Sequence, residues 1–100
     1  MKRNATEIIW QKLNDGEIFG KIMSHNLGGA MFWDVLSMSP DKRYIRWTHY
    51  GSSANKATRK DLDWVLGVIF HMTPAEFLAE YTTYSEFKRI DEMYREEKAV

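Results

Sequence analysis

The chain has no cysteine among its 100 residues, so neither a disulfide nor a thiolate metal site can hold it together. Stability must come from a packed core, and the absence of thiols fits a reducing compartment, so a cytoplasmic location is the expectation. Apolar runs are short: none approaches the roughly 18 residues of a membrane span. The first residues, Met1-Lys2-Arg3-Asn4-Ala5-Thr6-Glu7, are polar, and no secretory leader or membrane association is expected. There are only two prolines and no low-complexity stretch or repeat, which points to one domain over 1–100 without linkers. Net charge is also absent, since 14 Lys and Arg meet 14 Asp and Glu.

What the chain does have is aromatic mass and an uneven charge distribution. Four Trp, five Tyr and five Phe give a short chain large buried area per residue. Residues 1–60 carry ten Lys or Arg against five Asp or Glu, and residues 61–100 carry four against nine. Opposite halves can attract within one fold or across a dimer, or the basic half can face an anionic partner.

Asn4 is placed to cap a helix over 5–14, with Ile8, Ile9 and Leu13 on one side and Asn14-Asp15-Gly16 as its stop. Residues 17–24 read as a strand running into the Gly-rich 25–29 loop, although Ile18/Ile22 and Phe19/Met23 also fit helical spacing. The helical alternative leaves a two-stranded hairpin in a mostly helical domain. Strands at 30–38 and 43–50 flank Ser39-Pro40-Asp41-Lys42, where Pro suits the second position of a turn. Period-two alternation puts Ile45 and Trp47 on one face of the third strand, and Tyr44, Arg46, Thr48 and Tyr50 on the other.

Thr58-Arg59-Lys60-Asp61 has the form of a capping box opening a helix over 59–71. Leu62, Val65, Leu66, Ile69 and Phe70 form its main apolar stripe. Trp64, Val68 and His71 form a second, which predicts a second neighbour. Thr73-Pro74-Ala75-Glu76 and Thr83-Tyr84-Ser85-Glu86 open two more helices, with Phe77, Leu78 and Tyr81, then Phe87, Ile90 and Tyr94, facing inward. The expected fold is α+β: an N-terminal helix, a three-stranded antiparallel meander, then three helices. The long one packs on the sheet with two short ones behind it, and the tail from residue 95 frays.

Catalysis needs convergent groups, and no such local constellation exists. His25, His49 and His71 fall on a loop, a strand and a helix, without paired metal-ligand spacing. Glu76, Glu80, Asp91, Glu92, Glu96 and Glu97 read as a solvated helical face in which Asp91 pairs with Arg95. The stretch from Gly51 to Thr58 lacks the second Gly and the Lys-Ser/Thr pair of a phosphate-binding loop. The expectation is therefore no enzyme, no metal and no cofactor.

The remaining feature is a basic run, Lys42, Arg43, Arg46, Lys56, Arg59 and Lys60, with no acid between 42 and 60 and with Tyr44, Trp47, His49 and Tyr50 interleaved. Helix, three-strand meander and helix over residues 4–71, with Gly51-Ser52-Ser53 leading basic residues into the last helix, is similar to the double-stranded RNA-binding domain. The family's Lys-Lys-x-Ala-Lys run is Ala-Asn-Lys-Ala-Thr at 54–58 here. The resemblance implies contact with A-form RNA through the first helix, the loop holding His25, and Lys56, Arg59 and Lys60. From the residues themselves, a non-enzymatic binding module for a protein partner is the leading expectation, of the kind an accessory or inhibitor protein of a mobile element or phage would be. Its contacts are Lys42, Arg43, Tyr44, Arg46, Tyr50, Lys56, Arg59 and Lys60, with Trp64 as a further aromatic candidate. Structured RNA or DNA on the same residues is the alternative. The acidic C-terminal helices are an in-chain competitor for these cations.

Overall fold

The computed structural model describes residues 4–24, 30–49, 52–56 and 58–99, and their side chains except at 24, 52–56, 59 and 97–99. The fold is α+β. Helix α1 (Ala5–Asn14) leads into strands β1 (Phe19–Ser24), β2 (Ala30–Met38), β3 (Ile45–His49) and β4 (Ser52–Lys56). Helix α2 (Arg59–Trp64) continues as a π-helical turn (Val65–Ile69), followed by α3 (Pro74–Glu80), the two-residue strand β5 (Thr82–Thr83) and α4 (Tyr84–Ala99). The antiparallel sheet has the order β4-β3-β2-β1-β5. Of the 17–24 segment, 19–24 is a strand and 17–18 leads into it, and the mostly helical alternative does not hold. The meander, however, has a fourth strand where a connecting loop was expected.

The caps act as the sequence implies. Asn4 Oδ1 accepts from the Glu7 amide at 2.9 Å, and Gly16 at φ 90° lets the Glu17 amide close the helix end on Lys12 O at 3.0 Å. Both capping boxes, Thr58/Asp61 and Thr73/Glu76, are reciprocal. Thr83 Oγ1 accepts from the Glu86 amide at 3.3 Å to open α4. This helix continues to Ala99 where a frayed tail was expected, with an Arg95–Asp91 bridge of 2.9 Å one turn from its end.

One face of the sheet carries the core. Phe19, Leu36, Ile45 and Trp47 meet Ile9 and Leu13 of α1, Leu62, Val65, Leu66 and Phe70 of the α2 segment, and Phe77 and Tyr81 at α3. Phe77 joins the layers edge-on to Phe19 at 5.4 Å and to Phe70 at 5.6 Å. The bent pair Lys60–Ile69 and Pro74–Glu80 has the length and composition of a broken membrane span, but it supplies this core, and no single helix among the described residues is long and apolar enough to cross a membrane. The helical stretch from 59 ends sooner than the expected 71. Phe70 N donates to Val65 O and His71 takes φ 56°, which breaks the helix before Pro74. Its second apolar stripe is not covered as expected: Trp64 is 44% and Val68 49% exposed.

The placement of α4 also differs from expectation. It packs on the opposite face of the sheet, not behind α2. The cause is a bulge in β2: Phe19 pairs with Leu36 and Lys21 with Trp33, so three residues of β2 span two of β1, with Asp34 in the left-handed region at φ 54°. The extra residue reverses the alternation. Leu36 faces the core, whereas Phe32 faces away, where Phe87 of α4 lies tilted against it at 5.0 Å and Tyr84 meets it edge-on at 5.7 Å. The Phe32 ring lies over Gly20, where an added Cβ would come within 2.4 Å of it.

Gly20→Ala is expected to destabilise the fold by about 1–3 kcal/mol through overpacking, because the ring is held by α4. Urea unfolding of Gly20→Ala in the native and Phe32→Ala backgrounds checks this; the cost should shrink when the ring is gone.

Candidate functional site

The cationic residues are gathered by strand direction. β2 runs down to the Ser39–Tyr44 turn, β3 runs back up, and β4 runs down again, with Ile45 opposite Lys56. The start of α2 therefore lies at the same end of the sheet as the turn. Lys42 and Arg43 from the turn, the backbone of Lys56 at the end of β4, and Arg59 and Lys60 at the start of α2 share this end. Arg46, exposed, sits next to it on the sheet face away from Ile45 and Trp47. The side chains of Lys56 and Arg59, and the whole of Tyr50 and His25, lie outside the described residues.

The turn is built by its own polar groups. Lys42 N donates to Ser39 O at 2.9 Å with Pro40 at the second position. Asp41 Oδ1 accepts from Ser39 Oγ at 2.6 Å and from the Arg43 amide at 3.1 Å, and Ser39 Oγ accepts from the Tyr44 amide at 3.0 Å. These bonds to the charged form, the Ser39 hydroxyl foremost, hold the Asp41 carboxyl below the usual aspartate range. Lys42 takes φ 61°, and the guanidinium of Arg43 lies 5.8 Å from the ring centroid of Tyr44, which is 41% exposed.

Among the described residues the in-chain competitor does not engage this end. Among acids of the C-terminal segments, Glu86 pairs with Arg89 and Asp91 with Arg95 along α4, and Glu80 reaches Lys21 of β1 at 3.8 Å. Among the described residues, Lys42, Arg43, Arg46 and Lys60 form no ion pair and are exposed. Pairing between the basic and acidic halves, which the two-sided charge distribution favoured, is seen at Lys21–Glu80; α4 packs on β1, β2 and β5, and the described cations Lys42, Arg43, Arg46 and Lys60 do not take part.

Strand β4 also changes the geometry that the similarity to the double-stranded RNA-binding domain implies. In a helix, three strands and helix, the last helix starts beside the loop between the first two strands. Here β4 reverses the chain once more, so α2 starts at the opposite end of the sheet from the 25–29 connection. Comparison with protein-family models, with curated proteins and with solved structures gives no match for this chain.

The histidines are placed by the fold. His49 packs on Phe70 with centroids 4.8 Å apart, and Asp34 Oδ2 lies 3.3 Å from its Nδ1. His71 is exposed at the helix end. Two shallow recesses, of 270 and 300 Å³, include neither histidine. Among the described residues no three His, Asp or Glu side chains are arranged to hold a metal. Sequence reasoning missed a second exposed surface: Met23, Met31 and Trp33, at 48%, 36% and 48% exposure, share one face of the β1–β2 ladder. The signal was there in Met31-Phe32-Trp33, three large apolar residues in a row, which no half-buried strand can cover on both faces.

An NMR titration of the Asp41 carboxyl should give a midpoint below the ordinary value of about 3.9, and Ser39→Ala should raise it. Because the folded-state value is depressed, the turn's contribution to stability is complete above the ordinary aspartate range and is lost as pH falls through the depressed midpoint. An unshifted midpoint would contradict the bonding described.

Proposed function

We propose that this protein is a small non-enzymatic binding module, and that its partner is another protein docked at the cationic end of the sheet. The observation that supports this most is the combination there of exposed Lys42, Arg43, Arg46 and Lys60 with the exposed ring of Tyr44, free of the acidic helices. Arg and aromatic side chains together are the composition of protein-binding hot spots, and solvent-facing cations speed docking of an acidic surface. Trp64 and the Met23, Met31 and Trp33 face add apolar area that a partner can cover.

The same convergence of cations supports a second reading, contact with the phosphates of structured RNA or DNA. The two differ in what a partner must supply. A phosphate backbone is held chiefly by charge, so affinity falls steeply with salt and depends little on Tyr44. A protein partner uses both.

Pull-down with the full chain should recover a partner that nuclease treatment leaves in place, and Tyr44→Ala should weaken its capture about tenfold while the fold is retained. Gel shifts with duplex RNA, duplex DNA and single strands test the second reading. There, Lys56→Glu, Arg59→Glu and Lys60→Glu together should abolish a salt-sensitive shift. Nucleic-acid binding unchanged by Tyr44→Ala and lost in the triple variant would displace the protein reading.

A further inference from the structure

Among the described residues, strand β4 is paired on one side only, with β3, and ends the sheet. The opposite edge, β5, is two residues long and too short to template a partner strand. β4 has five residues, Ser52-Ser53-Ala54-Asn55-Lys56, without the sequence protections of an edge. It contains no proline, its pairing with β3 is continuous from Ile45/Lys56 to His49/Ser52 without a bulge, and only its last residue is charged. The backbone groups on its side away from β3 take no partner strand among the described residues.

We infer that β4 is the docking edge for an extended acidic segment of the partner protein, which adds to the sheet as a sixth strand. This rests on the proposed protein-binding role and specifies its mode and chemistry. Main-chain hydrogen bonds along β4 provide the attachment, and side chains beside the edge provide selectivity. An added strand lies about 5 Å beyond β4 and about 10 Å from β3. Arg46 on β3, Lys42 and Arg43 at the turn, and Lys60 at the start of α2 lie at this end of the sheet, all exposed and without ion pairs among the described residues. Acidic side chains on the incoming segment would find these cations along its path. A second copy of this chain is the poorer occupant, since joining two β4 edges brings two cationic ends toward one interface.

The test uses the full chain with fluorescent peptides of about twelve residues alternating Glu with Val or Thr, each with a twin N-methylated at every second backbone nitrogen. The parent peptides should bind saturably by anisotropy. N-methylation, which removes backbone donors but leaves charge, should weaken binding about tenfold or more, and Arg46→Glu with Lys60→Glu should do the same with an unchanged far-UV spectrum. Amide exchange of residues 52–56 should slow in the complex. Equal binding of methylated and parent peptides would reduce the site to plain attraction of polyanions and overturn the inference. So would self-association by sedimentation that slows the same amides, or duplex RNA slowing them while no peptide binds. A nuclease-resistant protein partner that protects Met31 and Trp33 while β4 still exchanges freely would refute the edge but leave the protein-binding role standing.

Discussion

The register of β4 against β3 governs the arrangement of this molecule. With Ile45 opposite Lys56, the chain leaves the sheet at the end where the Ser39–Tyr44 turn lies, and α2 must start there. Two consequences follow from one set of backbone hydrogen bonds. The main apolar stripe of α2 is delivered onto Ile45, Trp47 and Leu36 as the core, and the basic residues flanking the helix start are delivered beside Lys42 and Arg43. Without the extra strand the same sequence would send its helix from the other end, and the cations would be split between two ends of the sheet.

A second constraint divides the sheet's duties. The bulge at Asp34 turns Phe32 toward α4 while Leu36 stays with the core, so a short hairpin supports a layer on each face. Gly20 is needed where the Phe32 ring crosses β1. α4 lies at the β1–β2 side with Glu86 and Asp91 paired along its own length and Glu80 of α3 paired with Lys21, and among the described residues Lys42, Arg43, Arg46 and Lys60 face solvent without an ion pair. The neutrality of the whole chain thus conceals a polar molecule.

Much of the local structure was legible because it is written in short-range chemistry. Asn4, Thr58, Thr73 and Thr83 cap helices by bonds that span three residues, and Pro40 with Asp41 specifies its own turn. What escaped depends on partners distant in sequence. Ser52-Ser53-Ala54-Asn55 has little strand preference of its own and is a strand because β3 pairs with it; Thr82 and Thr83 are a strand because β1 does. The bulge cannot be read by strict alternation, which puts Phe32 and Leu36 on one face. The cationic site was legible as residue identities, but its assembly at one end was not, since it follows from the unforeseen strand.

The placement of the cationic turn and of the start of α2 at one end of the sheet hangs on the pairing of residues 45–49 with 52–56. The most direct test is a set of backbone proton contacts in solution by NMR. Cross-strand contacts should join Arg46 to Asn55 and Thr48 to Ser53, with extended-strand shifts through 52–56. Coil-like shifts over 52–56 with no contact to β3, or contacts displaced by one residue, would contradict the account, because the start of α2 and its cations would no longer be fixed beside the turn.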